Sequence, residues 1–162
     1  MYMEKPRELP WPKRDVFIQL GFVLGVAVYA GVILALAFWP LAVVFAVLCA
    51  SFVIVNHYFV CRDCAYHGTL CGSFGLGRLA LFKRTGKEHF DPKTAQRSMV
   101  FFYITAAFPV LAVLFQPAFW WLAAIYLTAG GVSVLVHNKL GCAKCPLVHC
   151  SGNPGHKKMQ CI

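Results

Sequence analysis

The sequence predicts an all-α integral membrane protein of about four transmembrane helices, arranged as two pseudo-repeated hairpins with cysteine knuckles on the cytoplasmic side. Three observations lead there: two long charge-free apolar runs, a proline beside aromatic residues near the middle of each, and a cysteine-rich segment after each run.

Of the 162 residues, 59% are hydrophobic and only 13% charged, about half the charged fraction of an ordinary soluble domain. The charges sit in three blocks: Met1 to Asp15, Arg62 to Arg97 and Lys139 to Ile162. Between them, Val16–Cys61 runs 46 residues and Ser98–Asn138 runs 41 without Asp, Glu, Lys or Arg. A spanning helix needs about 20 apolar residues, so each run can cross a bilayer twice.

In order, residues 1–15 form a basic N-terminal segment and 16–60 the first hairpin, predicted as Val16–Trp39 and Leu41–Tyr58 around the turn Trp39-Pro40. Proline ends a helix by removing an amide donor and clashing with the preceding turn, while the indole ring settles at headgroup depth. Gly21 and Gly25 make a GxxxG pattern, which predicts close helix packing. An Ala35-Leu36-Ala37 cleavage pattern follows, but the 19 apolar residues Val16–Leu34 exceed a signal-peptide core of about 7 to 15.

Residues 61–97 form the first cysteine loop. It holds the glycine run GSFGLG from Gly72, read as a turn because it lacks the Lys-Ser/Thr ending of a phosphate-binding loop. The amphipathic stretch Arg78–Arg84 is expected along the headgroups. Asp91-Pro92 makes a helix start, with a side-chain cap and a proline in the first turn. Residues 98–138 form the second hairpin, Ser98–Phe115 and Ala118–Val136 around Gln116-Pro117, with Pro109 expected to kink its helix without ending it. Residues 139–162 are a cysteine-rich tail. Lys and Arg number 4, 7 and 4 in the three polar blocks and none lies in either turn, which places both termini and both cysteine segments in the cytoplasm. The +9 net charge then answers to anionic headgroups, and no nucleic-acid partner is required.

The halves echo each other: NHYFVCRDC from Asn56 and VHNKLGCAKC from Val136 each pass from an Asn/His pair to a CxxC. A pseudo-two-fold axis along the membrane normal would bring both knuckles to one face. Seven of eight cysteines lie there: Cys61, Cys64 and Cys71 after the first hairpin, and Cys142, Cys145, Cys150 and Cys161 after the second. Cytoplasmic thiols stay reduced, so CxxC pairs point to metal ligation or redox chemistry. Cys61, Cys64, Cys142 and Cys145 would supply one tetrahedral site. Alternatively, Cys142, Cys145, Cys150 and Cys161 form one set, while Cys61, Cys64 and Cys71 take a fourth ligand such as His67.

Zinc and an iron–sulfur cluster both suit four thiolates. Either carries negative charge that Arg62, Lys139 and Lys144 are placed to balance. His57 and His137, near the helix ends, are interfacial residues in preference to haem ligands. His149 and His156 accompany the tail cysteines, His89 stands apart, and Cys49 reads as an apolar core residue. No hydrolytic constellation is visible, so the chain is expected to lack catalytic activity of its own. The leading expectation is a membrane subunit that holds an iron–sulfur or zinc centre at the cytoplasmic face, in the first case for electron transfer to a partner protein. The alternatives are a structural zinc adaptor that docks a partner, and a thiol-redox or metal-handling protein.

Overall fold

The computed structural model describes residues 10–62, 64, 66–72, 74–79, 81–83 and 92–144. Every regular element among them is helical: α1 (Lys13–Asn56), a π-helical turn His57–Cys61, a 3-10 turn Leu76–Leu79, α2 (Pro92–Ala107), a 3-10 turn Phe108–Leu111, α3 (Ala112–Phe115), a 3-10 turn Pro117–Phe119 and α4 (Trp120–Leu140). The stretches Lys13–Cys61 and Pro117–Lys144 are long and apolar enough to cross a membrane.

A straight helix of 44 residues would be about 66 Å long. The Trp11 ring at its start nevertheless lies 4.8 Å from that of Tyr66, and the ten residues after α1 can bridge at most about 36 Å. The chain therefore doubles back inside α1. It does so at Phe38, whose backbone is extended (φ −164°, ψ 102°) just ahead of Trp39-Pro40. A second reversal falls at Gln116, also extended (φ −137°, ψ 83°), as a residue before proline tends to be. The Tyr126 hydroxyl donates to the Ala106 carbonyl at 2.7 Å, although a separation of 20 positions along one straight helix would hold the two residues about 30 Å apart. Around Pro109 the helix tightens to 3-10 geometry and then resumes in α3, the expected distortion without a break.

Side chains fix which segments lie together. Phe38, Phe45 and Phe52, spaced by seven, meet Phe115, Phe108 and Phe102 in that order, and Ser98 donates to Asn56 Oδ1. The second part of α1 thus runs antiparallel to α2 and α3. The first part runs antiparallel to α4: Tyr29 donates to the Leu122 carbonyl, His137 meets Gln19, and Trp11 donates to the Gly141 carbonyl at 2.9 Å. Ala30, Ile33, Leu34, Phe45, Ala112 and Tyr126 form the shared core, with Cys49 packed on its flank. Outward, large apolar side chains stay exposed, among them Val28, Leu36, Trp39 and Leu135.

The glycine pattern needs correction. Among the described residues, a Cβ added at Gly21, Gly25, Gly31, Gly130 or Gly131 would meet nothing within 4 Å, so these glycines do not mediate close packing there. Gly21→Ala and Gly25→Ala are accordingly expected to leave stability unchanged or raise it by up to about 1 kcal/mol each, measured by detergent-phase thermal unfolding. A loss above about 2 kcal/mol would restore the packing role.

Candidate metal centre

One end of the helices gathers three separated pieces of chain: the entry to α1, the first cysteine loop and the end of α4. Trp11, Val16, Tyr66 and Cys71 form a small buried core there, with Cys64 and Leu70 against it. Gly72 lies so close under the Trp11 indole that no side chain would fit. A Cβ at Gly141 would lie 2.6 Å from the Gly72 carbonyl oxygen, so the residues after Cys71 and before Cys142 are in backbone contact. Lys144 pairs with Asp15 across the same junction.

The loop is built to bury sulfur. The π-helical turn, closed by the Arg62 amide on the His57 carbonyl, leaves His57 fully buried and Cys61 5% exposed. A single π turn is a local widening that helices keep mainly at functional positions. Burial pushes the Cys61 thiol up to about 12, and the neighbouring sulfurs of Cys71 and Cys64 add to the effect. The Gly77 amide donates to Cys71 Sγ at 3.3 Å, and the Cys64 amide to the Cys61 carbonyl at 3.3 Å. Gly68 (φ 78°) and, within GSFGLG, Gly75 (φ 70°) have left-handed backbones. His67 Nδ1 donates to the Cys61 carbonyl at 3.1 Å, which leaves its Nε2 with a lone pair. Arg62 lies over the Tyr58 ring at 4.1 Å.

The second half contributes Cys142 in a 3-10 turn just past α4. Its Sγ lies 3.4 Å from His137 Nε2, while His137 Nδ1 faces Gln19 Oε1 at 3.0 Å. The Gln19 side chain is buried at 1% exposure, and its Nε2 has no hydrogen-bond partner. Phe74 stacks on His137 with ring centres 4.4 Å apart and takes a left-handed backbone (φ 56°), which is costly for a bulky residue.

The structure thus brings Cys61, Cys64 and Cys71 together and sets Cys142 at the same end. Among the described residues, no three His, Cys, Asp or Glu side chains are placed to close around one metal ion. Cys145, Cys150 and Cys161, and with them His89, His149 and His156, lie outside the described residues. Sequence reasoning missed Gln19 and Phe74. Counting charges hides Gln19, an uncharged amide early in an apolar run, and Phe74 is one aromatic among 14 phenylalanines. Comparison with protein-family models, curated proteins and solved structures returns no match.

Proposed function

We propose that this chain is an integral membrane protein of four transmembrane helices, two hairpins in series, that holds a cysteine-ligated zinc or iron–sulfur centre at the cytoplasmic face. The observation that carries the reading is the backbone contact of Gly72 with Gly141, which sets the first cysteine loop beside the start of the second cysteine segment. Two chain reversals return both to one end of the helices, and the Lys and Arg distribution assigns that end to the cytoplasm.

Buried sulfur beside buried sulfur favours a cation over a reactive thiol. Desolvated cysteines are poor nucleophiles, whereas a metal replaces their protons and relieves their mutual repulsion. The amide donated to Cys71 Sγ is the kind of outer-shell contact that orients a thiolate ligand and tunes a bound metal. With iron and sulfide the centre would relay electrons to a partner protein at the cytoplasmic face. With zinc it would staple the two hairpins and form a docking surface.

The test is metal, iron and acid-labile sulfide analysis of detergent-solubilised protein purified without oxygen. At least one zinc per chain, or iron with matching sulfide and visible absorption, is expected. Both should fall at least tenfold in the double variant Cys61→Ser, Cys64→Ser. A wild-type chain with neither metal at a tenth of stoichiometry would end the proposal.

A further inference from the structure

The proposed centre uses cysteines, yet a donor that stands beside Cys142 Sγ, at 3.4 Å, is an imidazole nitrogen. We infer that His137 Nε2 and Cys142 Sγ are two ligands of one mixed nitrogen–sulfur site for a zinc-class divalent ion, with Gln19 as the residue that orients the histidine. This rests on the metal-centre reading above and names a ligand that the cysteine pattern does not contain.

Zinc binds sulfur at about 2.3 Å and imidazole nitrogen at about 2.0 to 2.1 Å, so two such ligands at a tetrahedral angle stand about 3.6 Å apart. Cys142 Sγ and His137 Nε2 are 3.4 Å apart, and small side-chain shifts separate the two arrangements. Before metal enters, the Cys142 thiol donates to Nε2. On binding, that proton leaves to solvent and both lone pairs turn to the cation.

Metal-ligating histidines donate their other ring N–H to a fixed acceptor, which sets ring orientation and leaves the ligating nitrogen unprotonated. Gln19 Oε1 is that acceptor, 3.0 Å from Nδ1. An almost fully buried glutamine is costly, more so with its Nε2 unsatisfied, since an unpaired buried polar group costs about 1 to 3 kcal/mol. Holding the His137 ring in one orientation gives that cost a purpose. Phe74 closes one face of the ring, and the left-handed backbone that places it there is strain of the kind found at ligand clamps.

The experiment loads detergent-solubilised protein with zinc or cobalt(II) alone and measures affinity by chelator competition. His137→Ala is expected to weaken zinc binding at least tenfold. Gln19→Leu, which removes no ligand, should weaken it about 10- to 100-fold, the range for outer-shell partners. His137→Cys keeps a donor at the position and covers the case in which the alanine variant does not fold. It should retain metal and move the cobalt ligand-field bands to lower energy as sulfur replaces nitrogen. Wild-type affinity in His137→Ala and Gln19→Leu, with loss only in Cys142→Ser, would overturn the inference and leave a cysteine-only centre standing. Unshifted cobalt bands in a folded His137→Cys would overturn it equally. A wild-type chain that binds neither ion would instead remove the metal-centre reading itself.

Discussion

Val28→Lys is expected to lower the equilibrium constant for membrane insertion by roughly a hundredfold, and the inserted fraction with it, because a lysine at the centre of a spanning helix costs about 2.5 to 3.5 kcal/mol on insertion scales. Val28 falls near the middle of the proposed first span, Val16–Trp39, and is 67% exposed on the surface of the chain. That exposure makes the substitution decisive. On a water-facing helix an exposed valine changes to lysine within about 0.5 kcal/mol, so the two environments predict different outcomes from the same position. Phe17→Lys serves as the depth control. Phe17 is also exposed, at 57%, but lies at the helix entry, where a lysine can snorkel its ammonium into the headgroups. The readout is the fraction resisting alkaline extraction from membranes, corrected for synthesis. Equal and small effects at both positions would mean that the apolar surface meets something other than lipid, and the four-span proposal would fall.

How much of this was legible in the residues divides by the kind of force involved. Solvent exclusion acts over whole segments, so the two charge-free runs announced the apolar helices, and Trp39-Pro40 and Gln116-Pro117 announced the reversals, which the structure places at Phe38 and Gln116. At Pro109 the helix tightens to 3-10 geometry for the local reason that proline supplies, a missing amide donor and a clash with the preceding turn. Close contact between distant backbones leaves no such trace. Gly21 and Gly25 looked like packing glycines but face open space, whereas a Cβ at Gly72, Gly77 or Gly141 would overlap a neighbour. The aromatic seam was readable in principle, since Phe38, Phe45 and Phe52 recur every seven residues. Its partners Phe102, Phe108 and Phe115 are spaced by six and then seven, so the seam is less regular on that side. Gln19 and His137 lie 118 positions apart, and nothing local to either could reveal their pairing.

The second large effect concerns Gly141→Ala. Gly141 caps α4 with φ −100° and ψ −73°, a conformation open to alanine, so the requirement for glycine is spatial and not conformational. The added methyl would lie 2.6 Å from the Gly72 carbonyl oxygen, 2.8 Å from that of His137 and 2.9 Å from Gln19 Oε1. Two of these neighbours are backbone and the third is a buried amide fixed on His137, so none can move aside cheaply. Overpacking typically costs about 1 to 3 kcal/mol, and rigid neighbours place this case at the upper end. The same shift would lengthen the bond from Trp11 to the Gly141 carbonyl and part the two cysteine segments. Loss of stability should therefore come with loss of metal. Gly130→Ala, on the same helix with nothing within 4 Å of the new methyl, should show neither. If both variants unfold at the wild-type temperature and retain metal equally, the contact between Gly72 and Gly141 does not hold the two cysteine segments together. The geometry on which a shared centre depends would then be lost.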